Sequence, residues 1–217
     1  MHLLLLRHGQ TDENARGILQ GQSQTTLNAA GHEQAQHLAL RLRTYVPRVD
    51  AIVSSDLARA RQTAEALAEA LDLAIDARQA WRERGFGPFE GRTIGEADSW
   101  RAASGHWDLP GAETTAAFHA RVMAALDETT RDYASVSCVA VVTHGAVLRN
   151  ILDLLRDGRL RLVDGAPAPA SVPIRNCAIM HLEAEWPEPG AVAWHVHAVN
   201  DADHLAGAPA SAFRVEE

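Results

Sequence analysis

The chain has 217 residues, of which 47% are hydrophobic and 22% are charged, and its formal net charge at pH 7 is -8. This length and composition are ordinary for one globular domain with a sizeable core, and they exclude a chain that is disordered throughout. The negative balance gives no broad positive field that would hold a nucleic acid. Any anion site must therefore be a local cluster of arginines.

The apolar stretch at the beginning of the chain is too short for a signal peptide or a membrane span. It comprises Leu3 to Leu6, and no basic region precedes it. The two cysteines, Cys138 and Cys177, lie far apart in apolar runs, a pattern that favours packed, reduced thiols over a disulfide or a metal motif. We therefore expect a cytoplasmic protein with no membrane partner.

Three short apolar runs have the pattern of strands that are buried on both faces of a parallel sheet, and amphipathic segments lie between them. The strands are predicted at residues 2–7, 51–54 and 138–143. Helices are predicted after Asn28 as cap, after Ser55 or Asp56 as cap, at residues 118–129, and after His144. Strands that alternate with helices of this length predict βαβ crossovers.

The C-terminal part of the sequence has a different pattern. Residues 176–186 and 191–200 are predicted to be two strands joined by a short turn, so the sheet is expected to be mixed. Residues 165–173 are rich in proline and alanine and are predicted to be a surface loop. The expected fold is a three-layer α/β/α sandwich with a mostly parallel mixed central sheet, as one domain over residues 1–205 with a flexible tail at 206–217.

Polar side chains follow the three predicted parallel strands at the point where each strand ends. Arg7 and His8 end the first, Arg59 lies one helical turn after the second, and His144 follows the third. Ligands of open α/β sheets bind beyond the carboxyl ends of the strands. An arginine pair can hold the oxygens of a phosphate, and a neutral imidazole can attack phosphorus and carry the phosphoryl group. The pattern therefore favours phosphoryl transfer.

Each of these residues also has a simpler interpretation when it is taken alone. A histidine at a strand end, such as His8 or His144, is more often structural or exposed to solvent, and Arg59 beside Arg61 fits a solvated helix face. A glycine follows each of the two histidines, and we expect it to let the backbone approach a ligand closely. Only the joint pattern makes the phosphate interpretation specific.

Other candidate sites are weaker. His195 and His197 could chelate a metal as an H-x-H pair, but the alternation WHVHAV fits a half-solvated strand, so no metal site is predicted. The first strand is followed by neither a P-loop nor a G-x-G-x-x-G string, which argues against a nucleotide site. Packing within a cover over the site is favoured over substrate contact for Phe86, Trp100, His106 and Trp107.

Four sequence blocks, in the right order, resemble the signature of the histidine phosphatase superfamily, the phosphoglycerate mutase-like proteins. They are LLLLRHGQTDENARGILQG at residues 3–21, SSDLARARQTA at 54–64, ERGFGPFEG at 83–91, and THGAVLRNIL from Thr143. Similarity continues at residues 110–114, 176–183 and 199–205, so it covers nearly the whole chain. The resemblance implies a phosphoglycerate mutase-like fold and phosphoryl transfer through a phosphohistidine.

The resemblance also implies a role for individual residues. His8 would be the nucleophile, and Glu83 would protonate the leaving oxygen and later accept a proton from the attacking water. Glu83 stands between Arg82 and Arg84, so an exposed loop glutamate is the alternative. Thr11 stays open between a cap and a pocket hydroxyl. The phosphate pocket would comprise Arg7, His8, Asn14, Gly21, Arg59 and His144.

The expected activity is that of a phosphatase, a metal-independent phosphomonoester hydrolase that acts on a small phosphorylated metabolite without a cofactor. Mutases of this superfamily carry a long basic insertion between the acid block and the second histidine. Here only 52 residues separate Gly91 from His144, and this segment is not basic. The first alternative is a cofactor-dependent phosphoglycerate mutase.

A catalytically silent phosphate-binding regulatory protein is the second alternative. Such a protein is expected to lack at least one pocket residue, whereas none is missing here. Arg84 and Arg92 could meet a second anionic group of the substrate or be solvated. A homodimer through a sheet edge is compatible with the sequence.

Overall fold

The computed structural model of the chain describes residues 1–156, 161–163, 173–188 and 191–206. The strands are β1 (His2–Arg7), β2 (Ala51–Ser54), β3 (Ile75–Ala77), β4 (Cys138–Thr143), β5 (Arg161–Leu162), β6 (Ile179–Glu188) and β7 (Ala191–Asp201). The helices are α1 (Asp12–Ala15), α2 (Ala29–Arg43), α3 (Ala58–Leu71), α4 (Ile94–Ser104), α5 (Thr115–Asp132) and α6 (Gly145–Arg156).

The seven strands form one sheet in the order β3-β2-β4-β1-β6-β7-β5. The pairs β3 with β2, β2 with β4, β4 with β1 and β7 with β5 are parallel, whereas β6 runs antiparallel to both β1 and β7. The prediction of a mostly parallel mixed sheet is therefore confirmed.

Helices cover both faces of this sheet. Helix α2 packs against α3, and α5 packs against α6. Crossovers between parallel strands are right-handed. Helix α3 leads from β2 outward to β3, and α5 leads from β3 back to β4. These two helices must therefore lie on opposite faces of the sheet. The predicted three-layer sandwich is thus confirmed. The direction of the connections reverses between β1 and β4, which places a crevice at the carboxyl ends of these two strands.

Strands β1 and β4 form the centre of the core. Leu3 to Leu6 and Cys138 to Val142 are all fully buried. A strand that is covered by helices on both faces has no solvent side, so its sequence is continuously apolar instead of alternating. This is why the two runs were recognisable as strands.

Two predicted boundaries are wrong. The strand expected from residue 176 begins at Ile179, because Asn176 and Cys177 form a turn in which Cys177 has a φ of 56°. The cap expected for α3 at Ser55 or Asp56 is also wrong, since its N-cap is Leu57, which makes no side-chain cap hydrogen bond. Both polar residues bond elsewhere: the Asp56 carboxylate binds Arg82, and Ser55 Oγ binds His144.

Some predictions concern regions that the structure does not describe. The predicted surface loop lies outside the described residues except for Pro173, and so do residues 207–217 of the predicted tail. One domain over residues 1–205 stays a prediction. Among the helices of the described residues, none combines the length and the apolar character that crossing a membrane requires.

The first turn of α2 touches the backbone of the loop that follows β1. A Cβ atom added to Gly31 would overlap the carbonyl oxygen of Gln10, whereas one added to Gly95 in α4 would meet nothing within 4 Å. We expect Gly31→Ala to lower the free energy of unfolding by about 1–3 kcal/mol because of this overlap. The matched Gly95→Ala should raise it by up to about 1 kcal/mol through helix propensity. Urea unfolding of both variants measures the difference, and equal effects would contradict it.

Candidate active site

The residues after β1 and β4 meet in the crevice at the carboxyl ends of these strands. Arg7, the last residue of β1, pairs with Thr143, the last residue of β4, so His8 and His144 leave the sheet side by side. Their ring centroids are 5.1 Å apart, and both side chains are buried. The parallel register of the two strands thus brings together two histidines that are 136 positions apart in the sequence.

The hydrogen bonds of His8 identify the tautomer of its ring. Nδ1 lies 2.7 Å from the carbonyl oxygen of Gly9, which can only accept, so Nδ1 carries the hydrogen. The guanidinium Nε of Arg59, which can only donate, lies 3.2 Å from His8 Nε2. Nε2 therefore carries no hydrogen, and its lone pair accepts the hydrogen bond from Arg59. This is the nitrogen that is available to attack an electrophile.

The charge state of His8 suits a nucleophile. Burial lowers its pKa well below the usual value, and the positive charges of Arg59 and Arg7 lower it further. The ring is therefore neutral at pH 7, and its Nε2 lone pair is not blocked by a proton.

Arg59 lies in the first turn of α3 and is almost fully buried, and several hydrogen bonds hold its guanidinium group in place. Its Nη1 donates to the carbonyl oxygen of Ser23 at 2.9 Å and to Thr25 Oγ1 at 3.1 Å, and its Nη2 donates to the carbonyl oxygen of Gly21 at 2.8 Å. Burial lowers the pKa of Arg59 to about 10, so the guanidinium stays charged at pH 7. The structure thus fixes one positive charge beside the His8 ring.

Arg7 supplies a second buried positive charge. One of its Nη1 hydrogens is donated to the carbonyl oxygen of Ile174. Burial lowers the pKa of Arg7 to about 10, and the negative charge of Glu83 opposes this effect, as it does for Arg59. Two guanidinium groups around a neutral imidazole make a positively charged pocket in a protein whose overall charge is negative, as the sequence predicted for a local anion site.

His144 has one ring nitrogen that no protein group satisfies. Its Nε2 lies 2.8 Å from Ser55 Oγ, while its buried Nδ1 has no hydrogen-bond partner among the described residues. Burial and the charge of Arg59 lower the pKa of His144 well below the usual value, so the ring is neutral at pH 7. A buried polar atom without a protein partner is what a site for a polar ligand leaves open.

Glu83 is half-buried and faces the same pocket. Its Oε1 accepts a hydrogen bond from the backbone nitrogen of Arg84 at 2.9 Å, and its Oε2 accepts one from the backbone nitrogen of Ala146 at 3.2 Å. The Ala146 contact ties the carboxylate to the segment that carries His144. The flanking arginines bind other acids, since Arg82 pairs with Asp56 at 2.6 Å and Arg84 pairs with Asp108 at 2.6 Å.

Asn14 and Thr11 form a capping box in α1. The Thr11 hydroxyl accepts from the Asn14 backbone nitrogen at 3.1 Å, and Asn14 Oδ1 accepts from the Thr11 backbone nitrogen at 3.2 Å. Thr11 is thus a cap, the first of its two interpretations. Asn176 Nδ2 donates to Asn14 Oδ1 at 3.2 Å and to the His8 carbonyl oxygen at 2.9 Å. Because Asn14 Oδ1 accepts from both the Thr11 backbone nitrogen and Asn176 Nδ2, the Asn14 amide is held in a fixed orientation. Asn176 also links it to the His8 backbone.

Three residues support the pocket although the sequence pattern did not indicate this role. Asn176 binds the His8 carbonyl, and Ser55 binds the His144 ring. Thr63 accepts from the Gly9 backbone nitrogen at 3.0 Å and donates to the Arg59 carbonyl oxygen at 2.8 Å, which ties the nucleophile loop to α3. Ser55 and Thr63 belong to the block SSDLARARQTA at residues 54–64, but only their three-dimensional neighbours reveal what they bind.

The glycines of the site make room for protein groups. A Cβ atom on Gly9 would overlap the carbonyl oxygen of Gly31, and one on Gly145 would come within 3.4 Å of Arg7 Nε. Gly9 therefore makes room for α2, and Gly145 makes room for the Arg7 side chain. Gly21 has a φ of 52°, and a Cβ atom there would overlap the Glu90 carboxylate. Its carbonyl oxygen positions Arg59, which is an indirect contribution to the pocket.

A small second core lies beside the site. Phe89, Ala97 and Leu109 are buried there, with Phe86 and Trp100 packed against them as predicted. His106 and Trp107 are exposed, so the packing interpretation is wrong for these two residues. The two arginines considered for a second anion are engaged in protein contacts. The buried Arg84 donates to Asp108 and to the Glu113 carbonyl oxygen, and the Arg92 guanidinium lies over the Phe89 ring, 5.0 Å from its centroid.

Comparisons with known proteins agree with this arrangement. The family model described as Histidine phosphatase superfamily (branch 1) matches residues 3–197. A relative named "Probable phosphoglycerate mutase GpmB", from Escherichia coli O1:K1 / APEC, is 34% identical over 94% of this chain and 95% of its own length.

Solved structures show the same fold. A mycobacterial glucosyl-3-phosphoglycerate phosphatase is 27% identical, with a TM-score of 0.72 over 91% of this chain and 99% of its own. A phosphoglycerate mutase from Bacillus anthracis str. Sterne is 23% identical, with a TM-score of 0.78 over 95% of both chains. The chain therefore belongs to the histidine phosphatase superfamily, as its four sequence blocks predicted.

Proposed function

We propose that this protein is a phosphomonoester hydrolase that acts on a small phosphorylated metabolite, with His8 as nucleophile and Glu83 as general acid and base. The observation that carries the proposal is the state of His8. Its ring is neutral, its Nδ1 donates to the Gly9 carbonyl oxygen, and its unprotonated Nε2 accepts a hydrogen bond from the buried Arg59. A nucleophile for phosphorus requires these features together.

In the first step, His8 Nε2 attacks phosphorus, the bond to the ester oxygen breaks, and a phosphohistidine forms. Arg7 and Arg59 neutralise the charge of the nonbridging oxygens. Guanidinium groups that are fixed in a buried pocket stabilise this charge more strongly than water does. Burial and the positive charges of Arg59 and Arg7 hold His144 neutral, and the negative phosphoryl group offsets these charges. His144 can then take up a proton and donate a hydrogen bond to the phosphoryl group.

Glu83 is placed to move the protons of both steps. As a carboxylic acid it gives its proton to the leaving oxygen, and as a carboxylate it later takes a proton from the water that attacks the phosphohistidine. The two backbone hydrogen bonds to Arg84 and Ala146 hold the carboxyl group in position for both roles.

Hydrolysis is favoured over mutase chemistry by the segment between the acid block and the second histidine. Residues 92–143 contain four arginines and seven aspartates or glutamates, and their bulk is α4 and α5. A mutase must hold a bisphosphorylated intermediate and exclude water, which calls for additional positive charge. Arg121 of this segment already binds the Glu113 carboxylate, and Arg84, which precedes the segment, binds Asp108.

The mutase alternative keeps support from the relative named as a probable phosphoglycerate mutase, and one experiment separates the two. The protein is incubated with 3-phosphoglycerate and 2,3-bisphosphoglycerate, with and without a chelator, and the products are resolved by phosphorus NMR. We expect mainly inorganic phosphate, formed equally well with the chelator present. Mainly 2-phosphoglycerate would make the protein a mutase, and loss of activity with the chelator would contradict the metal-free mechanism.

The substrate is identified by a panel of phosphorylated glycerates, sugars, nucleotides and an aryl phosphate, ranked by kcat/KM. Glucosyl-3-phosphoglycerate belongs in the panel because a solved neighbour is named for its hydrolysis. Binding of inorganic phosphate without turnover of any panel member would favour the silent regulatory protein.

A further inference from the structure

A cluster of three histidines lies at the end of the sheet opposite the phosphate pocket. His2 begins β1, His181 belongs to β6, and His197 belongs to β7. Each ring offers a nitrogen, and these nitrogens all lie within 4.8 Å of one another. His2 and His8 are separated by six residues of strand, so the cluster is about 20 Å from the nucleophile.

The sheet register explains how the three side chains share one face. His2 pairs with Glu183, and Leu4 pairs with His181, so His2, His181 and Glu183 project from the same side of the sheet. Between Leu182 and His181 the register with β7 shifts by one residue, a bulge that falls at His197. Bulges redirect a side chain, and this one brings the His197 ring to a centroid distance of 4.6 Å from the His181 ring.

We propose that His2, His181 and His197 form a binding site for a divalent transition-metal ion, with Zn²⁺ as the ion to test. His2 Nδ1 and His181 Nε2 are 3.0 Å apart, which is close to the separation of about 3.3 Å between two nitrogens on a tetrahedral zinc ion. The third nitrogen needs a shift of about 1.5 Å to reach that separation. Rotation of the half-exposed His197 ring is sufficient for this movement.

Neighbouring groups are placed to orient the ligand rings. Tyr45 Oη lies 3.3 Å from His181 Nδ1, so the hydrogen of that ring can sit on Nδ1 and leave Nε2 for the metal. The Glu183 carboxylate lies 2.7 Å from His197 Nε2 and 3.7 Å from His2 Nε2. When the ion binds, the hydrogen shared between His2 and His181 moves to His2 Nε2, which faces this carboxylate. No proton is gained or lost by the cluster in that exchange.

The charges around the cluster also suit a cation. Burial, with the neighbouring His197 and His2, lowers the pKa of His181 to about 4, so this ring is unprotonated at pH 7 and able to act as a ligand. Glu183 carries a negative charge beside the rings. The Met1 ammonium group, whose positive charge acts on His2 and Glu183, donates a hydrogen bond to the Ala184 carbonyl oxygen at 3.0 Å. His195 does not join the cluster, since it binds Glu185 at 3.2 Å, so the H-x-H pair considered in the sequence does not form one site.

The test uses the full chain without an affinity tag of histidines, dialysed against a chelator and then titrated with Zn²⁺. We expect one ion per chain and a rise in Tm of about 5–10 °C when free zinc is 100-fold above its Kd. Co²⁺ in place of Zn²⁺ should give the visible absorption of a four- or five-coordinate site with nitrogen ligands.

Two variants of the same strand separate the cluster from its surroundings. His197→Ala removes a half-exposed ligand and should weaken zinc binding by about 10–100-fold or more, whereas His195→Ala should leave it unchanged. Each variant is compared with and without zinc, so a general loss of stability cannot be mistaken for a loss of zinc binding. Absence of zinc binding by the parent protein, or equal losses in the two variants, would overturn the proposal.

Discussion

Replacement of His8 by alanine is expected to lower kcat by about 10⁴-fold or more, because the phosphohistidine can no longer form. Arg7, Arg59 and His144 would still bind the phosphoryl group, so KM should change much less than kcat. The residual rate would be that of water attacking a bound, charge-neutralised ester. His32→Ala, at an exposed position of α2, is the matched control and should keep full activity.

The measurement for His8 combines steady-state rates with trapping of the intermediate. Rapid mixing with a ³²P-labelled ester, followed by alkaline quenching, should label the parent protein and His32→Ala with a phosphoramidate that acid removes. His8→Ala should remain unlabelled. A labelled His8→Ala protein, or one that retains the parent rate, would show that another group attacks phosphorus.

Replacement of Glu83 by glutamine is expected to have the second largest effect, a loss of about 10²–10⁴-fold in kcat on an alkyl phosphate. Glutamine has nearly the same shape and can still accept a backbone hydrogen bond, but it cannot give a proton to the leaving oxygen. An aryl phosphate with an acidic phenol needs no such proton. Its phosphorylation step should therefore lose much less, and the ratio of the two substrates reports on the acid role alone.

The control for Glu83 is Glu65→Gln, which alters an exposed carboxylate on α3 that pairs with Arg61 at 3.9 Å. It should leave both substrates unaffected. If Glu83→Gln slowed the alkyl and aryl esters by the same factor, Glu83 would position the site instead of donating the proton, and the general acid would have to be sought elsewhere.

The parts of the fold that follow from continuous burial could be predicted from the sequence. The runs at residues 2–7 and 138–143 are apolar throughout because helices cover both of their faces. The convergence of Arg7, His8 and His144 follows from the same fact, since parallel strands end at one edge of the sheet. Helix α4 was not predicted, because only Ala97 of its residues is buried and its sequence carries little apolar periodicity.

The parts of the site that depend on tertiary partners could not be predicted. No local pattern shows that Arg84 is occupied by Asp108 or that Asn176 reaches back to the His8 carbonyl. The contact of Gly9 with α2 could not be predicted for the same reason, because this helix begins 20 residues later in the sequence. Residue types indicate which chemistry is available, whereas the contacts decide which groups remain free to perform it.

The position of β1 in the sheet has a consequence for how activity is lost. This strand is bonded to β4 on one side and to β6 on the other, and its four leucines are fully buried. Amide hydrogens in such a strand exchange with solvent only when the whole cooperative unit opens. His8 is attached to this strand directly, so no partial opening can release the nucleophile while the rest of the sheet stays intact. We therefore expect His8 to leave the site only when this central part of the sheet opens.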